Sequence, residues 1–317
     1  MLSKETLLKQ ARENRYKPEI LEKVIRLLDV LEAFVSVPYL KNRLVLKGGT
    51  ALNIFHFKQL PRLSVDIDLN YIGSLDKETM LEERPIINEG IQKILTQKGF
   101  FASRNPGNYA GGKMVWRYES VLGQKGNLEI DLNYMYRQPL LDIEWKSPNL
   151  IDQHLLKIPV LDIHELAAGK LTALFARKAS RDLFDSHHLL TAHMLSLETL
   201  RPIWVSYLAM SDIDLDHLFP EEITYDLTDV HNQLLPVLRQ NNNLGNKRAL
   251  ESWIQEIIKE LQFNLSSLLP LKDHENKFIK EIRDNGLIIP ELITDDQILI
   301  EKIKNHPALL WAIHKKK

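Results

Sequence analysis

Asp66 and Asp68 are threaded through an apolar run, RLSVDIDLNY, at 62–71. In an extended strand, residues two apart share a face. Ser64, Asp66, Asp68 and Asn70 therefore face one way, and Val65, Ile67 and Leu69 the other. Two neighbouring carboxylates repel, and a divalent cation between them offsets that cost. Hard oxygen ligands suit Mg2+ (or Mn2+), and Mg2+ suits phosphates. NLEIDLN, at 127–133, repeats the arrangement: Glu129 and Asp131 share one face, and Leu128, Ile130 and Leu132 take the other. A third carboxylate from a neighbouring strand would complete a two-metal site for phosphoryl or nucleotidyl transfer. Asp131, deeper in its apolar strand than Glu129, is the candidate. The same pattern also describes an ordinary half-exposed sheet.

Two further segments can work on phosphates. Lys47-Gly48-Gly49-Thr50 lies between an apolar run and an apolar helix. Paired glycines let backbone N–H groups approach an anion, and Thr50 can bond a phosphate oxygen or cap the helix. A tight capped turn is the other reading. Downstream, HELAAGKLTALFARKASRDLFDSHHLL (164–190) carries an apolar stripe of Leu166, Ala167, Leu171, Leu174 and Phe175. Lys170 and Arg177 share a different face, and Ser180 is placed to cap a helix that begins at Arg181-Asp182. Arg181 and Asp185 then form an i,i+4 pair, which in the bland reading is an exposed salt bridge. His187, His188 and His193 lack a convincing metal-site spacing.

The order of these segments resembles the DNA polymerase β-type nucleotidyltransferases, whose signature is a Gly turn, a D-x-D strand and a later acidic strand. More narrowly, KGGTAL (47–52) followed by RLSVDIDL (62–69) is similar to the AbiEii/AbiGii toxin family, the nucleotidyltransferase-like toxins of type IV toxin–antitoxin and phage-abortive systems. The interval between Gly49 and Asp66 is long enough for a short helix, as is typical of that family. The resemblance covers roughly residues 44–190. It implies metal ligation by Asp66, Asp68 and Asp131, and contacts to the NTP from Lys47, Gly48, Gly49, Thr50, Arg62, Ser64, Lys170 and Arg181. It also implies an essential Asp185 or Asp182, a tRNA 3′ end as acceptor and an antitoxin encoded nearby. A degenerate NTP- or RNA-binding sensor, transfer to a protein acceptor, and an α/β scaffold with a helical interaction domain are the alternatives.

These segments need elements to hold them. Periodicity predicts helices over 4–14, 18–36 and 78–97, a strand over 63–72, and a strand–turn–helix over 44–55. Residues 113–120 and 127–135, separated by GQKG, predict a hairpin. From about residue 160 the pattern is helical: 163–178, 181–194, 199–209, 228–239, 247–263, 274–284 and 296–304. RQNNNLGNK (239–247) reads as a loop or linker. The expected fold is α+β. An N-terminal nucleotidyltransferase-like mixed sheet flanked by helices (1–158) precedes a C-terminal helical domain (159–317) that contributes Lys and Asp to the site.

Three local signals carry less. GNYAGGK (107–113) fits a P-loop spacing, but Met114 follows where Ser or Thr belongs, so it reads as a loop, with a cover over the site as its expected use. With Arg104, Lys113, Arg117 and Lys125 it is locally basic, which suits RNA phosphates or plain solvent. The letters DIDL recur at 212–215 beside Asp216, Glu221 and Glu222, without a preceding Gly turn. That copy reads as an acidic connection between helices, with a cation-binding turn as the weaker alternative.

Composition sets the outer bounds. The chain has 317 residues, 44% of them apolar, which suits two domains. Lys plus Arg number 41 and Asp plus Glu 42, so a nucleic-acid surface has to be local. There is no cysteine, which removes thiolate metal sites, disulfides and Cys nucleophiles. No apolar run approaches the roughly 20 residues of a membrane span, and the first residues lack an apolar signal core. The expected location is cytoplasmic.

Overall fold

The computed structural model describes residues 2–104, 111–150, 157–240 and 242–314. Two compact units emerge: Met1–Leu161 with Val237–Gln240, and Asp162–Pro236 with Asn241–Lys317.

In the first unit, α1 (Lys4–Asn14) starts where Ser3 accepts from the Thr6 amide. Helix α2 (Pro18–Ser36) opens with Pro18, whose missing N–H costs nothing in a first turn. Its Leu21, Val24, Leu27, Leu28 and Leu31 are all buried, the stripe that the periodicity predicts. A single turn, α3 (Pro38–Lys41), leads to β1 (Leu44–Lys47). The turn α4 (Gly48–Thr50) runs directly into a π-helical stretch, Ala51–His56. Strand β2 (Asp66–Tyr71) and helix α5 (Lys77–Gln97) follow, with Asp76 capping α5. Strands β3 (Phe101–Arg104), β4 (Gly111–Glu119), β5 (Lys125–Asn133), β6 (Glu144–Lys146) and β7 (Ile158–Val160) complete the sheet.

The seven strands are ordered β3-β4-β5-β2-β1-β7-β6. Pairing is parallel for β2 with β5 and for β1 with β7, and antiparallel elsewhere. Inward alternation builds the core: Ile67 and Leu69 of β2 and Leu128, Ile130 and Leu132 of β5 are all buried. The predicted hairpin forms as β4–β5, nine residues a side. Its turn is held by the buried Glu22 of α2, which accepts from Ser120 Oγ at 2.5 Å and from the Val121 amide at 3.1 Å. Arg43 grips Glu83 of α5 with two bonds of 2.8 and 2.7 Å, and Tyr71 donates to the same carboxylate. The Arg43 bonds hold the Glu83 carboxyl below its usual range, against the effect of burial.

The second unit is helical. Its helices are α6 (Ile163–Arg177), α7 (Ser180–Thr191), α8 (Leu197–Ala209), the single turn α9 (Leu227–Asp229), α10 (Lys247–Leu265), α11 (Asp273–Lys280), α12 (Gln297–Lys304) and α13 (Pro307–His314). Trp204, Leu208, Ile254, Leu261 and Phe278 lie in its core. No described helix in either unit is long and apolar enough to cross a membrane.

Several expectations are corrected here. The helix expected over 228–239 is broken: α9 passes into a π-helical stretch at 230–234 and a 3-10 turn at 235–237. Val237–Gln240 then rejoins the first unit, where Leu63 donates to Val237 O at 2.8 Å and Gln240 to Arg15 O at 2.6 Å. The chain at 239–240 is therefore anchored rather than a linker. Ser180 does not cap α7. It is the first helical residue, and its amide instead donates to Asp229 at 2.7 Å. Strands β6 and β7 and helix α13 were not expected at all. The second DIDL is an irregular connection after α8, leading to a 3-10 turn at Leu215–His217. Arg283 binds the Leu208, Ser211 and Ile213 carbonyls there.

Candidate active site

Each acidic strand alternates as its sequence predicts, but only the sheet brings the two together. Strand β2 lies between β1 and β5, and its register pairs Asp66 with Glu129 and Asp68 with Asp131. Directly paired residues of neighbouring strands project from the same face. Four carboxylates therefore form a two-by-two block, all half-buried, while their apolar neighbours fill the other face. From the opposite side, β1 pairs Lys47 with Asp68.

The Gly turn packs directly onto this block. Gly48 has φ +71, and a Cβ on it would stand 2.2 Å from Asp68 Oδ2. Only glycine both accepts that conformation and leaves space for the carboxylate. Thr50 is fully buried and donates from Oγ1 to the Asp66 carbonyl at 2.5 Å. Asn53, also buried, donates to the Gly49 carbonyl at 3.0 Å. Thr50 thus fastens the turn to the acidic strand, and Asn53 ties the turn to the π-helical stretch that follows it. The Lys47 ammonium lies 5.9 Å from the centre of the Tyr136 ring, whose phenol burial pushes up to about 12. Arg62 and Ser64 are buried in the lead-in to β2, with Arg62 donating to the Leu63 carbonyl at 2.8 Å.

Two lysines that the acidic motif did not include stand among the carboxylates. Lys113, on β4 opposite Asp131, places Nζ 2.6 Å from Glu129 Oε2. Lys23, on α2, places Nζ 3.9 Å from Asp66 Oδ1. The alternation of KMVWRYE (113–119) is the signal that would have found Lys113. It sets Lys113, Val115 and Arg117 on the face opposite the buried Met114, Trp116 and Tyr118. The expected cover at 107–113 falls largely on residues 105–110, outside the described residues, while Gly111, Gly112 and Lys113 belong to β4.

The second unit holds a charged centre built from α6 and α7. Lys170 of α6 is 9% exposed, with Nζ 2.9 Å from Asp182 Oδ1 and 2.8 Å from Asp185 Oδ2 of α7. Arg177 Nε reaches Asp182 Oδ2 at 2.6 Å. Burial pushes the Asp182 carboxyl up, but Lys170 and Arg177 outweigh it and hold the carboxyl below its usual range. Asp185, read from its i,i+4 spacing as a partner of Arg181, is also bound by Lys170, a contact that the spacing does not announce. His187 binds Glu260 at 2.6 Å, and His188 lies against the Phe184 carbonyl.

Chemically, the block of carboxylates fits a hard divalent cation: all four donors are oxygen. Among the described residues, no three His, Asp or Glu side chains converge into a ready-made metal cage. The carboxylates stand two to a strand, with the Lys23 and Lys113 ammonium groups beside Asp66 and Glu129.

Comparison with known proteins bears on this arrangement. The family model described as "Nucleotidyl transferase AbiEii toxin, Type IV TA system" matches residues 29–277. No curated protein matches in sequence. Among solved structures, MenT4, a nucleotidyltransferase toxin of Mycobacterium tuberculosis H37Rv, superposes with a TM-score of 0.57 at 18% identity, over 98% of this chain and 99% of that one. An antigenic nucleotidyltransferase-like protein of Paracoccidioides brasiliensis aligns over 76% of this chain and 92% of its own, at 14% identity and a TM-score of 0.36.

Proposed function

This chain belongs to the AbiEii nucleotidyltransferase toxin family of type IV toxin–antitoxin systems, and from that premise we propose that it moves a nucleoside monophosphate from an NTP to the 3′-terminal hydroxyl of a tRNA, with Mg2+. The observation that carries the reading is the register of Asp66 and Asp68 against Glu129 and Asp131, with the Gly48 turn seated on Asp68. Asp66, Asp68 and Asp131 would hold Mg2+, which when bound neutralises triphosphate charge. The acceptor oxygen bonds to the α-phosphorus, the bond from that phosphorus to the bridging oxygen breaks, and pyrophosphate leaves. The Asp131 carboxylate takes the acceptor proton.

The Gly48 and Gly49 amides and the Lys47 ammonium serve the triphosphate. Thr50, Arg62 and Ser64 are the further nucleotide contacts of this reading; all three are buried, and Thr50 also ties the turn to β2. The sequence resemblance assigns Lys170 and Arg181 to the phosphates and makes Asp185 or Asp182 essential. That assignment is tested by its own variants. An antitoxin is the expected partner, and the family's systems include one.

The test is to incubate the protein with Mg2+, labelled NTPs and total tRNA. Label should appear on tRNA, and Asp66→Ala and Asp68→Ala should each remove it. Label on a protein band would change the acceptor. Label transfer that survives both substitutions would refute the site.

A further inference from the structure

The acidic face carries positive charge of its own. Lys113 and Glu129 form a diagonal cross-strand pair at 2.6 Å, and Lys113 lies in register with Asp131. Its ammonium is held above the ordinary lysine value by the Glu129 hydrogen bond first, then by the charges of Glu129, Asp66 and Asp68, against partial burial. One lysine thus feels three of the four carboxylates in the block. Its side chain is 55% exposed, so solvent and an incoming ligand can reach it. Lys23 stands farther from its carboxylate, at 3.9 Å, and is only 19% exposed, so it is the more fixed of the two.

We propose that Lys113 is a resident counter-ion: its ammonium neutralises the carboxylate face while the site is empty, competes there with an incoming divalent cation, and turns to the triphosphate once nucleotide and cation arrive together. This rests on the metal-dependent reading of the same carboxylates. The chemistry is simple competition. A monovalent ammonium tethered beside carboxylates lowers the affinity of any second cation, and the penalty disappears when phosphate oxygens offer the ammonium another partner. Metal uptake would then accompany nucleotide rather than precede it. If Lys113 were only a cross-strand strut, its removal would shift the melting temperature and leave cation binding alone.

The experiment is a Mn2+ titration of the full-length, nucleotide-free protein, read by the electron paramagnetic resonance signal of free Mn2+. Lys113→Met should bind Mn2+ about fivefold tighter than wild type at low ionic strength, and Lys113→Arg should match wild type. The gap should close near 1 M salt, where the screening length falls to about 3 Å. Lys113→Gln serves as a second neutral variant, and a thermal melt verifies that each is folded. Mn2+ affinities within twofold in wild type and both neutral variants would overturn the proposal and leave the metal reading standing, as would a gap that salt does not reduce. Absence of Mn2+ binding in wild type and in both neutral variants would overturn this proposal, and absence that persists when NTP is added would overturn the metal reading with it.

Discussion

Replacing Gly48 with alanine puts a methyl group where the Asp68 carboxylate already lies. Two costs separate cleanly. The first is the backbone: φ is +71 at Gly48, and a residue with a Cβ in the left-handed region costs about 1–2 kcal/mol. The second is steric: the new Cβ would stand 2.2 Å from Asp68 Oδ2, whereas Cβ contacts essentially never fall below 3.0 Å. The carboxylate has to retreat by the better part of an ångström. Displacements of that order at a reacting centre cost roughly 10²-fold in rate. Gly99 supplies the control. It has φ +78 and nothing within 4 Å of its Cβ position, so Gly99→Ala carries the backbone cost alone. Both variants should lose stability, each by roughly 2–8 °C in Tm. Only Gly48→Ala should lose labelled-NTP transfer, by about 10²-fold. Thermal melts and the transfer assay on the two variants decide it. If Gly48→Ala transfers within about threefold of Gly99→Ala, then the close packing of the turn on Asp68 does not position the carboxylate, and the reasoning fails.

Other outcomes follow from the two charged centres. Lys170→Met leaves Asp182 and Asp185 buried without their shared ammonium and should cost about 3–5 kcal/mol in urea unfolding. Lys170→Met with Asp185→Asn should recover part of that, and a single-variant loss under about 1 kcal/mol would contradict the geometry. The Asp182 carboxyl is held low, so its stabilisation is complete above the ordinary carboxylate pKa and is lost as pH falls through the lower folded value. Wild-type stability should therefore drop below about pH 4, and Asp182→Asn should show a shallower acid slope in denaturant midpoints. Asp68→Asn should cut transfer by roughly 10²–10³-fold, while Asp216→Asn, beside the second DIDL, should leave it unchanged.

What the residues reveal in order depends on the range of the interaction. Helices α1 and α2 follow from local periodicity, with Ser3 and Pro18 marking their starts, and strand β2 shows its alternation openly. The register of β2 on β5 is not visible in either segment. The pairing spans the α5 helix and the β4 hairpin partner, and only the finished sheet sets Asp68 beside Asp131. Strands β6 and β7 are three residues each, too short to carry a period. Ser180 reads as a cap because it precedes Arg181-Asp182. The group that meets the helix start is Asp229, 49 residues away, and no local pattern announces it. Lys170 was legible as a charge on a helix face. Its clamp between two aspartates required the packing of α6 on α7.

The return of Val237–Gln240 to the first unit has a consequence for the timing of synthesis. Leu63, three residues before Asp66, donates its amide to Val237, and Gln240 and Arg239 fasten to Arg15 and Tyr16. The unit that carries the acidic block therefore lacks part of its own hydrogen bonding until residues 162–236 have been translated. At about 5–20 residues per second this is a delay on the order of 4–15 s. During it, the segment that leads into β2 is still short of a partner. A chain interrupted after Leu161 would never gain that partner, so an early-terminated toxin would be an unfinished one.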